Sequence, residues 1–127
     1  MLFRSLVIED EFSLLEEVLE WLRFEGFDAL GAVNGHEGIS LALRQPPDLV
    51  VSDVMMPEMD GFEFVDRFRN NPEWNSIPIV VLTSKDLTYG ERQRLQGSVE
   101  NIYRKGNYDR KQFMEEIHRV LTNLVTS

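Results

Sequence analysis

The sequence predicts an α/β protein, a doubly wound parallel sheet of five strands, and three observations predict it. Short apolar, partly β-branched runs recur at Ser5–Ile8, Leu49–Ser52 and Ile77–Leu82. Unbroken runs of this kind suit strands buried on both faces. The stretches between them return their apolar residues at helical spacing. Read together, strand and helix alternate five times, the pattern of parallel strands joined by crossover helices.

Each element has its own local reason. The first strand, Ser5–Ile8, stops at Glu9-Asp10-Glu11. The first helix carries Leu15, Val18, Leu19 and Leu22 on one face, Ser13 and Glu16 have capping-box spacing, and Gly26 marks the stop. A weaker strand is expected at Ala29–Val33. The second helix starts near Asn34, with Glu37 three positions on. It carries Ile39, Leu41, Ala42 and Leu43 before Pro46-Pro47 end it. Leu49–Ser52 is the strongest strand. A third helix from about Gly61 to Arg69 buries Phe62, Val65 and Phe68. Ile77–Leu82 is the fourth strand and Val99–Tyr103 a weaker fifth. Between those two, Leu87–Gln96 has a helix start in Thr88 and Glu91 but few apolar anchors. The last helix runs from about Asp109 to Leu124, with Phe113, Ile117, Val120, Leu121 and Leu124 on its apolar side.

Length and composition set bounds on function. The 127 residues fit one domain, 1–127 with a core of about 4–124, and contain no repeat, low-complexity tract or linker. Hydrophobic content of 43% and charged content of 28% are those of a globular chain. Thirteen basic against 22 acidic residues give a net charge of −9. That balance argues against binding a nucleic-acid backbone or an anionic membrane. With no cysteine, disulfides, thiol catalysis and thiolate metal sites are excluded. The N-terminal MLFRSLVIEDE offers only short apolar runs before acid appears, too short for a signal peptide or a membrane span. The expected location is the cytoplasm.

In open α/β sheets, ligands bind beyond the carboxyl ends of the strands. Those ends carry Glu9 and Asp10, then Asp53, then Thr83 and Ser84, then Lys105. A polar residue at one strand end is commonplace; the combination is not. Two carboxylates about 4 Å apart repel by roughly 4 kcal/mol at an effective dielectric of 20. Three converging carboxylates therefore imply a hard divalent cation, and magnesium fits an oxygen-only site that keeps several waters.

These residues also carry a resemblance. The chain resembles the receiver domains of bacterial two-component response regulators from about Arg4 to Leu124. The resemblance rests on the pair Glu9-Asp10, the aspartate in SDVMMPEMDG, the hydroxyl in VVLTS and the lysine in IYRKG. It implies a flavodoxin-like fold, with Asp53 phosphorylated by a histidine kinase or a histidine phosphotransfer protein. Glu9, Asp10, Asp53 and the backbone carbonyl of Met55 would hold Mg2+. Lys105 would bind a phosphoryl oxygen as a compact point charge, and Thr83 would hydrogen-bond another, with Ser84 as second choice. Such a domain is a regulatory phosphoacceptor rather than an enzyme, assisting its own phosphorylation and dephosphorylation. Phosphate would switch the surface of the fourth helix, fifth strand and last helix. A protein partner, or a second copy in a phosphorylation-dependent homodimer, would read that surface. Pro57 and Asp60-Gly61 shape the loop by ordinary turn chemistry.

The chain departs from the family pattern in places. Glu9 stands where aspartate is also common, and Gly106 where many members have proline. Ile102 occupies the position of a switching aromatic, while Tyr103 beside it points the other way along a strand. TSKDLT, ERQRLQG and RKGNYD resemble receiver modules attached to the C-terminal side of hybrid sensor kinases. One alternative is a degenerate receiver that only binds partners; the complete acid, hydroxyl and lysine set opposes it. A haloacid-dehalogenase-type phosphatase needs a second acid where Met55 stands. A flavin binder needs a phosphate loop where Glu9-Asp10-Glu11 would repel the phosphate. His36, His118, Trp21, Trp74 and Glu115-Glu116 read as packing or solvated helix residues.

Overall fold

A computed structural model of the chain describes residues 3–54, 61–83, 86–104 and 109–126. Five strands, β1 (Arg4–Ile8), β2 (Asp28–Ala32), β3 (Leu49–Ser52), β4 (Ile79–Thr83) and β5 (Asn101–Arg104), make one sheet in the order β2-β1-β3-β4-β5. Every pairing is parallel. The crossovers are α1 (Phe12–Phe24), α2 (Gly35–Arg44), α3 (Gly61–Arg69) and α4 (Tyr89–Leu95), and α5 (Arg110–Thr126) follows β5.

Alternate side chains along each strand enter opposite layers. Val7, Val51 and Val80 pack with Leu15, Leu19, Leu22, Phe113 and Ile117 beneath α1 and α5. Leu6, Ile8, Val50, Val81, Phe64, Phe68 and Leu95 form the second core beneath α2, α3 and α4. The chain leaves β1 outward to β2 and then crosses back to β3. The order therefore reverses between β1 and β3, where such sheets open a crevice at their carboxyl edge.

Local expectations hold where the chemistry is local. All four apolar residues read on α1 are buried. Asn34 caps α2 by accepting from the Glu37 amide at 2.8 Å, and Thr88 and Glu91 form a complete capping box on α4. Asp109 and Gln112 exchange reciprocal bonds of 2.9 Å at the start of α5.

Other expectations are corrected. Ser13 and Glu16 make no capping box: Glu11 is the N-cap of α1, and the Ser13 hydroxyl donates to Glu11 Oε1 at 3.4 Å. The fourth strand starts at Ile79: a 3-10 turn at Pro72–Trp74, closed by the Trp74 amide on the Asn71 carbonyl, precedes it, and the Ile77 amide bonds back to the Trp74 carbonyl. The second strand starts at Asp28 and the fifth at Asn101. Leu43 points to solvent. Helix α2 rests instead on Gly35, Gly38 and Ala42, and it comes so close that a Cβ on Gly38 would lie 2.7 Å from Ile8 Cδ1.

Candidate functional site

The site is assembled by two central strands and the ladder bonds just past their ends. Ile8 pairs with Ser52, and the Asp53 amide donates to the Ile8 carbonyl at 3.0 Å. On the other side of β1, the Glu9 amide donates to the Ala32 carbonyl at 3.0 Å. Glu9, Asp10 and Asp53 are thereby brought together. One carboxylate oxygen from each lies within 4.8 Å of the others.

The three acids are not equivalent. Glu9 and Asp53 are only 4% and 5% exposed, while Asp10 is open to solvent. Glu9 Oε2 accepts from the Glu11 amide at 3.1 Å, so its carboxylate is held at the N-terminus of α1, the positive end of the helix. At 4.8 Å and an effective dielectric of 20, a pair of carboxylates still repels by about 3 kcal/mol. The donor set is oxygen-only, anionic and partly open, which suits a hard divalent cation that keeps water ligands.

Thr83 ends β4 almost fully buried, at 1% exposure, and pairs with Arg104 on β5. Register carries it to the same edge, two residues beyond Val81, the partner of Ser52. Arg104 meets Asp86 at 3.0 Å. Met55, Pro57, Asp60, Ser84, Lys105 and Gly106 lie outside the described residues.

Two supporting residues escaped the sequence reading. The Ser52 hydroxyl donates to the Asp53 carbonyl at 2.9 Å. Gly61, read only as a turn residue, donates its amide to the Val54 carbonyl at 3.0 Å. A Cβ there would lie 2.2 Å from Val54 Cα and 2.3 Å from the Asp53 carbonyl oxygen. The signal for Ser52 was a lone hydroxyl closing an apolar strand. For Gly61 no sequence signal separates a turn from a close approach.

Ile102 and Tyr103 face opposite layers, as alternation requires. The Tyr103 hydroxyl donates to Glu116 Oε2 at 2.5 Å and accepts from Asn101 Nδ2 at 2.8 Å. Arg119 holds the same carboxylate. Burial first, and then Glu116, push the Tyr103 phenol up to about 12.

Residues 5–118 match the family model of the response regulator receiver domain. The chain belongs to that family. This receiver domain is 30% identical over 126 residues to a probable transcriptional regulator, ycf29, of Pyropia yezoensis, covering 98% of this chain and 54% of that protein. It is 31% identical over 94 residues to protein PilH of Pseudomonas aeruginosa, covering 71% and 78%. The chain spans about half the length of the two ycf29 relatives it matches. Among solved structures, chemotaxis protein CheY4 of Vibrio cholerae has a TM-score of 0.87 at 26% identity, covering 94% of this chain and 99% of that one. A CheY-like receiver of Methanospirillum hungatei reaches 0.91 at 18% identity over 99% and 98%, a likeness of fold alone. The receiver domain has the flavodoxin-like architecture expected from the sequence. No helix among the described residues is long and apolar enough to cross a membrane.

Proposed function

We propose that this receiver domain is the phosphoacceptor of a two-component phosphorelay, taking a phosphoryl group on Asp53. The observation that carries the reading is the buried Asp53 carboxylate at the tip of β3, gathered with Glu9 and Asp10 within 4.8 Å. A carboxylate oxygen of Asp53 attacks the phosphorus of a phosphohistidine on a kinase or phosphotransfer protein. The O–P bond forms as the N–P bond breaks, and the electron pair stays with the imidazole nitrogen. Glu9, Asp10 and Asp53, with the Met55 carbonyl, would hold magnesium. When bound, the ion supplies positive charge that offsets repulsion between the acceptor and the phosphoryl oxygens. Lys105 would hold one phosphoryl oxygen and the Thr83 hydroxyl another.

A phosphoryl group adds roughly −1.5 to −2 charges at pH 7. Drawing Thr83 toward that charge biases the surface of α4, β5 and α5, which a protein partner or a second copy of the domain reads. The proposed setting is a single cytoplasmic domain over 1–127, resembling the receiver module of a hybrid kinase, with no nucleic-acid contact of its own.

Incubation with magnesium and acetyl phosphate, followed by intact mass, tests the reading. The wild type should gain one phosphoryl mass and Asp53→Asn none. No gain in the wild type, or equal gain in Asp53→Asn, overturns it. The same outcome separates a phosphoacceptor from a domain that only binds partners. Lys105→Ala should leave magnesium binding in place while impairing phosphorylation.

A further inference from the structure

Ser52 is a buried hydroxyl that the proposed chemistry leaves unused. It closes β3 after Leu49, Val50 and Val51, and all four residues are essentially inaccessible. Burying a hydroxyl there costs free energy unless it is hydrogen-bonded, and an apolar residue would fill the strand as well. The bond it makes is to the carbonyl of Asp53 itself, at 2.9 Å.

The backbone on either side of that carbonyl is also held. The Asp53 amide donates to the Ile8 carbonyl at 3.0 Å, and the Val54 carbonyl accepts from the Gly61 amide at 3.0 Å. Helix α3 backs so closely onto the Asp53 carbonyl that only glycine fits at position 61. Fixing both the amide and the carbonyl of Asp53 restricts its backbone dihedrals, and with them the direction of its Cβ. The carboxylate then enters the cluster with Glu9 and Asp10 along one path.

We propose that Ser52 is a positioning residue for phosphoryl acceptance: its hydroxyl locks the Asp53–Val54 peptide and so aims the Asp53 carboxylate. The proposal rests on the reading of Asp53 as the phosphoacceptor. Aim matters because a misplacement of about 1 Å can cost on the order of a hundredfold in rate.

Ser52→Thr and Ser52→Val share a shape and differ in the hydroxyl, so their comparison isolates the bond. Phosphoryl uptake from acetyl phosphate should be within about twofold of wild type in Ser52→Thr and about tenfold slower in Ser52→Val. The loss belongs in the maximal rate rather than in the donor concentration giving half of it. Ser52→Ala adds no bulk and should be slow like Ser52→Val. The carbonyl carbon shift of Asp53 should move in Ser52→Val and Ser52→Ala but not in Ser52→Thr. Equal rates in folded Ser52→Thr and Ser52→Val overturn the proposal while leaving Asp53 as acceptor. A wild type that takes up no phosphoryl group overturns both.

Discussion

At Gly61 one missing methyl group decides whether the edge of the sheet can form. An alanine Cβ would stand 2.2 Å from Val54 Cα and 2.3 Å from the Asp53 carbonyl oxygen, and the backbone it meets cannot rotate away as a side chain would. Gly61→Ala should cost about 1–3 kcal/mol or more, the range of overpacked cores. Urea unfolding should show a lower midpoint at an unchanged slope. A midpoint equal to wild type would mean that α3 has room to retreat. Tyr103 makes a second prediction at this scale. Its phenol is raised from 10.0 to about 12 by burial and by the Glu116 carboxylate. A raised pKa means that the neutral form is the one favoured by folding. Its contribution is therefore complete below pH 10 and lost as pH rises through about 12. Ultraviolet difference titration should show a late phenol step that Tyr103→Phe removes and Glu116→Gln moves to lower pH. A Glu116→Gln titration identical to wild type would show that the carboxylate contributes nothing.

Among the α-helices, α4 is the least anchored. Its only buried residue is Leu95, whereas α1 buries four leucine and valine side chains. Its capping box also supports it, as does Arg94, which meets Asp66 at 3.2 Å and lies 4.9 Å over the Phe62 ring. An exposed ion pair is worth at most about 1 kcal/mol, so α4 belongs to the low-stability end of the molecule. Thr88→Ala removes one half of the capping box and should cost about 1 kcal/mol of helix stability. Amide exchange should quicken within α4 while protection of β1 and β3 stays constant. Uniform quickening across the sheet would mean that α4 unfolds only with the whole. Weak apolar content made this helix hard to read from sequence, and under the proposed function the same weakness would make it the helix that a phosphoryl group most easily biases.

At the scale of the molecule, the acidic site opposes the fold that builds it. The chain carries a net charge of −9, and three of its carboxylates are gathered within 4.8 Å. A cation that binds only this arrangement should stabilise the folded state by mass action, by about 2.7 kcal/mol at a hundredfold excess over Kd. Thermal unfolding with magnesium chloride, set against sodium chloride at equal ionic strength, should show the shift. Asp10→Asn should remove most of it. An equal shift from both salts would reduce the effect to screening.

Much of this protein was determined by its sequence alone. Strand positions, helix faces, the Asn34 cap and the Thr88 box are consequences of residues near one another in the chain, so periodicity and capping chemistry reveal them. The acids and the hydroxyl at the ends of β1, β3 and β4 were legible for the same reason, since the ends of strands are local features. Tertiary structure alone decided which carboxylates are buried: Glu9 and Asp53 are covered, while Asp10, one residue after Glu9, is open. It also turned Leu43 outward, shortened β4, and pressed α3 onto the Asp53–Val54 peptide until only glycine at 61 could stand there. These outcomes depend on how closely segments distant in sequence approach one another. Periodicity carries no measure of that distance.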